Sequence, residues 1–137
     1  MQRLAVGSRE GCQEAVTLKR LLHPTIVRPA TSDMPSIISN CIREEYGQFD
    51  VKRAPKLIID TGVYVGNTSA YFLSRFSGAK VIALEPNPEL FVQADFNLRP
   101  YRDRATLVCV VLWDSEGTTN FGGEQTAGRV GRGWVEV

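Results

Sequence analysis

The chain reads as an α/β protein containing part of a doubly wound parallel sheet in the order β-α-β-α-β, and three observations carry that reading. Residues 56–60, KLIID, and 80–85, KVIALE, are short apolar runs that each close on an acid. Each is followed by apolar residues at helical spacing, and a third apolar run, ATLVCVVLW, fills residues 105–113. Strand and helix patterns alternating on this scale imply parallel neighbours joined by right-handed crossovers.

The elements follow in chain order. Residues 1–25 are an N-terminal extension, in which Ala15, Val16, Leu18, Leu21 and Leu22 recur at a spacing that predicts one weakly amphipathic helix. Residues 24–35, PTIVRPATSDMP, predict a short edge strand followed by a helix cap in the Thr-Ser-Asp cluster. Ile37, Ile38, Cys41 and Ile42 then mark a helix that Gly47 stops. After KLIID comes a tight glycine-bearing loop, TGVYVG, with Asn67 placed to cap a helix whose apolar face is Phe72, Leu73 and Phe76. After KVIALE, Asn87 as cap and Pro88 at the first helical position open another helix, with Leu90, Phe91, Ala94 and Leu98 on one side and an end at Pro100. The run 105–113 is apolar on both faces and predicts a strand buried on both. Six of the 12 glycines lie beyond Asp114, and the short TTNF and WVEV runs among them predict a C-terminal β-meander.

Composition removes several classes of function. With 16 Lys+Arg against 15 Asp+Glu the net charge is +1, and no stretch concentrates the cations, so the footprint of a nucleic-acid binder is missing. The longest uncharged apolar run, residues 107–113, falls far short of the roughly 20 residues a bilayer span needs. Arg9 and Glu10 interrupt the N-terminal apolar stretch before an export signal can form. Cys12, Cys41 and Cys109 are odd in number and form no CxxC pair, which argues against a disulfide framework or zinc site and for a reducing, cytoplasmic setting. Cys109 and Trp113 read as core residues, and the single histidine, His23, as a surface residue rather than a general base.

The chemistry lies in Asp60-x-Gly62-x-x-x-Gly66, an acid closing a strand and a glycine opening a helix, and in Glu85 at the end of the next strand. In open α/β sheets ligands bind at the carboxyl ends of the strands, where glycine lets backbone N–H groups approach a ligand. A carboxylate at the position of Glu85 can accept hydrogen bonds from both hydroxyls of a ribose. The dinucleotide fingerprint GxGxxG is absent, and Asp60 at the mouth of the loop would repel a pyrophosphate, which disfavours NAD. S-adenosylmethionine carries no phosphate, its ammonium and sulfonium suit a neighbouring carboxylate, and its own carboxylate suits a helix start.

RPATSD, the EEY of the helix before the first parallel strand, PKLIIDTGVYVGNTSAYF, AKVIALEPNPELF, NLRPY and LWDSEG together resemble the running pattern of the FkbM-type S-adenosylmethionine-dependent methyltransferases, a branch of the class I Rossmann-like methyltransferases. The likeness covers residues 26–137. It implies a partial Rossmann-like domain over that range. Asp60, Gly62 and Gly66 would shape the methionine end of the donor site, Glu85 would hold the ribose, Tyr64, Asn67 and Asn87 would also belong to the donor site, and Asp114 would lie near the adenine amino group. Val63 and Tyr64 stand where the family usually has a small residue followed by Asn. The family's later strands have no counterpart here, so the resemblance implies the donor-binding half of a methyltransferase that moves a methyl group to a hydroxyl of a small molecule or glycan. A non-catalytic module that keeps the nucleoside site is the alternative. In the strand order that the family implies, KLIID becomes an exposed sheet edge open to self-association.

Overall fold

A computed structural model describes residues 13–47 and 51–113, together with the backbone of three short strands at 120–124, 127–130 and 135–136. It is a mixed α/β structure. A hairpin of β1 (Glu14–Val16) and β2 (Thr25–Val27) comes first. α1 (Asp33–Ile37) runs on into a π-helical turn, Ile38–Ile42. β3 (Leu57–Thr61), α2 (Asn67–Arg75), β4 (Lys80–Leu84), α3 (Pro88–Leu98) and β5 (Ala105–Val108) follow. β3, β4 and β5 form a parallel sheet in that order, with Ile59 beside Ile82 and Ala83 beside Leu107. No helix among the described residues is long and apolar enough to cross a membrane.

The core lies on one face of this sheet. Val81 and Ala83 are buried there under α2 and α3, against Ala70, Leu73, Ala94 and Leu98. Consecutive parallel strands joined by right-handed crossovers put both helices on the same side. The other face is open among the described residues. Leu57 and Ile59 are 54% and 62% exposed, and Val108 is exposed at the far edge.

Several expectations need correction. Ala15–Leu22 form no helix. Ala15 and Val16 belong to β1, and the hairpin wins because β2 offers backbone partners while Gln93 and Asn97 of α3 anchor it from below. The helix after Pro35 ends at Ile42, not Gly47, because its last turn widens to π geometry and Glu44 then turns left-handed at φ 51°. The third strand stops at Val108, and Val110, Leu112 and Trp113 are exposed rather than core. The C-terminal strands β6 (Asn120–Glu124), β7 (Ala127–Val130) and β8 (Val135–Glu136) are antiparallel as expected. Their order is β7-β6-β8, so the third returns to pair with the first instead of extending a meander. Cys109 is half-buried rather than core, with its Sγ 4.0 Å from the Pro86 carbonyl. His23 is exposed and packs edge-on against the Tyr101 ring at 5.0 Å.

Asn97, on the buried face of α3, holds two distant segments at once. Its Oδ1 accepts from the Ile26 N–H at 2.8 Å, and its Nδ2 donates to the carbonyls of Ile26 at 3.1 Å and Val65 at 2.8 Å. An apolar residue of similar size would leave the Ile26 N–H and the Val65 carbonyl without their side-chain partner in the interior, while the Ile26 carbonyl keeps its bond from Gln93 Nε2 at 3.2 Å. Asn97→Leu is therefore expected to destabilise the fold by about 2 to 4 kcal/mol, read as a lowered urea midpoint; an unchanged midpoint would show that the hairpin is held by other contacts.

Candidate functional site

The loop Thr61–Gly66 between β3 and α2 is built from left-handed backbone. Gly62 has φ 76°, Tyr64 φ 56° and Gly66 φ 89°. The N–H groups of Gly62 and Val63 both donate to the Leu84 carbonyl, at 2.8 and 3.0 Å, which folds the loop over the end of β4. Gly66 is needed twice over. A Cβ there would also lie 3.1 Å from Leu98 Cγ and 3.4 Å from the Ala94 carbonyl, so this glycine sets how closely α2 approaches α3. At Gly62 a Cβ would meet nothing within 4 Å, and only the backbone conformation demands glycine. Left-handed backbone costs about 1 to 2 kcal/mol for an ordinary residue such as Tyr64, and two carboxylates offset it.

The first is Glu85. Its Oε2 accepts the Tyr64 N–H at 2.8 Å and its Oε1 accepts the Asn87 N–H at 3.0 Å, with the side chain almost wholly buried. Burial pushes its carboxyl above the ordinary value; the two N–H bonds oppose that shift, and the nearby Asp60 charge adds to it. The second is Asp33, fully buried at the start of α1. Its Oδ1 accepts from the Tyr64 hydroxyl at 2.8 Å and from Arg28 Nη2 at 2.8 Å, while Oδ2 takes Arg28 Nε at 3.1 Å and the Arg28 backbone N–H at 2.8 Å. Burial alone would raise the Asp33 carboxyl, but the Arg28 bonds override it and hold the group below its usual range. Burial, then the bond to Asp33, pushes the Tyr64 phenol up to about 12.

Beside this loop lies a cleft of about 430 Å³ at the carboxyl end of β3, between the start of α2 and the helical segment 33–42. Asp60, Glu45, Tyr64, Ser36, Asn40 and Thr68 are on its walls, and among the described residues no lysine or arginine lines it. Asp60 is half-buried and accepts from Ser69 Oγ at 2.7 Å. Burial raises its carboxyl above the ordinary value against the opposing pull of that bond. Asn40 Nδ2 donates to Thr68 Oγ1 at 2.7 Å, and Asn67 Nδ2 to Ser36 Oγ at 2.9 Å, which ties the segment 33–42 to the start of α2. The π turn brings Ser39 and Asn40 to the same wall.

The residues singled out from the sequence fall into three groups. Asp60, Gly62, Tyr64 and Asn67 line the cleft. Gly66, Glu85 and Asn87 lie outside its lining and shape or hold the loop and helix starts around it. Asp114 lies outside the described residues. Asn87 caps α3 as expected, its Oδ1 accepting from the N–H groups of Glu89 at 2.9 Å and Leu90 at 3.4 Å. Asn67 does not cap α2. Gly66 occupies the cap position, and the Asn67 side chain is buried against Ser36 with its Oδ1 unpartnered. Sequence reasoning gave no site role to Arg28, Asp33, Asn40 or Glu45; the available signals were RPATSD, with Arg28 five residues before Asp33, and EEY, which contains Glu45. No family profile and no curated protein sequence matches the chain.

Two outcomes follow from this geometry. Gly66→Ala is expected to destabilise by about 2 to 4 kcal/mol and Gly62→Ala by about 1 to 2 kcal/mol, so thermal melts that rank them in the reverse order would show that the α2–α3 approach is not tight.

The carboxylates make opposite contributions with pH. Asp33 has a lowered folded-state pKa, so its stabilisation is present above the ordinary carboxylate range and is lost as pH falls through the lowered value. Asp60 and Glu85 have raised values, so their contribution is present below that range and is lost as pH rises through them. Asp33→Asn should therefore cost about 2 to 3 kcal/mol at neutral pH and progressively less in acid, whereas Asp60→Asn should stabilise at neutral pH and converge on the parent in acid. Urea titrations across that range check both signs.

Proposed function

We propose that the chain binds S-adenosylmethionine in the cleft beside Asp60 and serves methyl transfer to a hydroxyl of a small molecule or glycan, within a partial doubly wound, Rossmann-like domain of the FkbM type. The observation that carries this reading is the charge of the cleft. Two carboxylates, Asp60 and Glu45, stand on its walls with no lysine or arginine among the lining residues, at the carboxyl end of a parallel strand and the start of a helix. That environment favours a cationic ligand and disfavours a pyrophosphate. The volume, about 430 Å³, falls within the range of small-molecule sites.

The roles follow from the geometry. Asp60 attracts the ammonium and sulfonium of the donor, and the free N–H groups at the start of α2 attract its carboxylate. Glu85 holds Tyr64 and Asn87 through one lone pair on each oxygen and so fixes the loop beside the cleft; in this reading the ribose lies past that loop, toward the end of β4. When the donor is bound it supplies an electrophilic methyl carbon. Transfer to an acceptor oxygen would leave the donor as a neutral thioether and release the hydroxyl proton to water. The protein's share is alignment, which is worth several kcal/mol when reacting atoms are held in line. Tyr64, where the family usually has Asn, still fits the left-handed position because Asp33 and Glu85 bind both its hydroxyl and its N–H.

Calorimetry with S-adenosylmethionine, its demethylated product and NAD tests the proposal. S-adenosylmethionine is expected to bind in preference to NAD. Asp60→Asn should weaken the sulfonium form about tenfold and the neutral thioether product less, since one cationic centre is lost between them. Glu85→Ala should weaken both by about 1 to 3 kcal/mol. Tighter binding of NAD, or indifference to Asp60, would overturn the reading. Binding without turnover of radiolabelled methyl over a panel of hydroxyl acceptors would favour the non-catalytic module instead.

A further inference from the structure

β3 is an edge of the parallel sheet, and the parity of its hydrogen bonds shows which of its groups are unused. Lys80 N–H donates to the Lys56 carbonyl at 2.9 Å and Gly62 N–H to the Leu84 carbonyl at 2.8 Å, so the even-numbered residues of this stretch turn their backbone toward β4. Leu57, Ile59 and Thr61 turn theirs outward, and the outward edge pairs with no strand among the described residues. The side chains above that edge are apolar and exposed, Leu57 by 54% and Ile59 by 62%. On the α2 side an apolar groove of about 280 Å³, walled by Pro55, Ile58, Phe72 and Phe76, runs beside the same edge.

We propose that the occupant of this edge is a second copy of the chain, its β3 paired antiparallel to the first about a two-fold axis at Ile58. Charge and hydrophobic pattern select that register. Centred on Ile58, Lys56 of each copy faces Asp60 of the other, and Leu57 faces Ile59, so both ends of the pair are charge-complementary and the middle is apolar. Leu57 and Ile59 are the outward-turned residues, so they exchange the backbone hydrogen bonds, while the two Ile58 residues form the closer, non-bonded pair. Centred one residue later, on Ile59, Asp60 would face Ile58 and Leu57 would face Thr61. That arrangement places a carboxylate against an apolar side chain and forms no ion pair. In the register about Ile58, the Ile58 side chain of each copy also seats over the other's apolar groove. The pairing is isologous and closes on itself, which an edge joined in register to any different strand would not do. It rests on the open edge and not on the proposed donor, although Asp60 belongs both to the pair and to the cleft wall.

Sedimentation equilibrium of the full chain, from micromolar to hundreds of micromolar, should show a monomer–dimer equilibrium. Ile59→Pro removes only an outward-facing N–H, a substitution an edge strand tolerates, and should abolish the dimer. Lys56→Glu, an exposed change outside the strand's packing, should weaken the dimer about tenfold through the two symmetric ion pairs, and Lys56→Arg should leave it intact. With Cys12 and Cys109 replaced by Ser, Ile58→Cys should crosslink the copies on mild oxidation, because the two Cα atoms would be about 4.5 Å apart. A monomer at every concentration would overturn the proposal. So would a dimer that neither Ile59→Pro nor Lys56→Glu weakens, or one crosslinked by Ile59→Cys in preference to Ile58→Cys.

Discussion

The hydrogen bond from the Tyr64 N–H to Glu85 is the constraint on which the cleft depends. Without it the loop between β3 and α2 would have to hold a tyrosine in left-handed backbone on the strength of flanking glycines alone. With it, the end of β4 dictates where residue 64 sits, and Asp33 fixes the other end of the same side chain. A loop of six residues is thus anchored to two separate parts of the fold by two carboxylates, and Asp60 at its entrance is left to face the cleft.

The three carboxylates illustrate how one element type serves different ends in one small volume. Asp33 is the most deeply buried of them, yet it stays ionised most readily, because Arg28 meets it with a bidentate grip and a backbone N–H. Asp60 and Glu85 have no cation of their own among the described residues, so burial works against their charge. A buried carboxylate of that kind is stabilised by any cation brought to it, and the cleft beside Asp60 is where one could arrive.

Much of the parallel core was legible because its signals are local. KLIID and KVIALE are short apolar runs bounded by turn residues, Asn87-Pro88 is a strong helix start, and Gly62 and Gly66 fall where positive φ is required. The signals that failed are those set by tertiary partners. Ala15 to Leu22 have helical spacing, but the hairpin is decided by Ile26 and the amides of α3, which no window of sequence contains. Gln93 and Asn97, which lie between the apolar residues of α3, are buried because backbone groups of β2 and the loop need partners, a demand that no local pattern announces. Asn67 looked like a cap for the same reason in reverse: a short amide next to a helix start also suits a buried contact, here with Ser36. In the cleft, the stretch that could be read directly was the loop and its acid; the opposite wall comes from the segment 33–42, where Ile37, Ile38, Cys41 and Ile42 marked a helix but nothing in their spacing announced the π geometry that brings Ser39 and Asn40 to the wall.

The amide of Asn97 adds a coupling between parts that share no other direct hydrogen bond among the described residues. Because one Nδ2 group serves the carbonyls of both Ile26 and Val65, the N-terminal hairpin and the cleft loop are fastened at a single point on α3. A fluctuation that lifts the hairpin away would release Val65 as well, so the two segments should open to solvent together as one cooperative unit, and the resting shape of the cleft becomes a property of residues that never touch it.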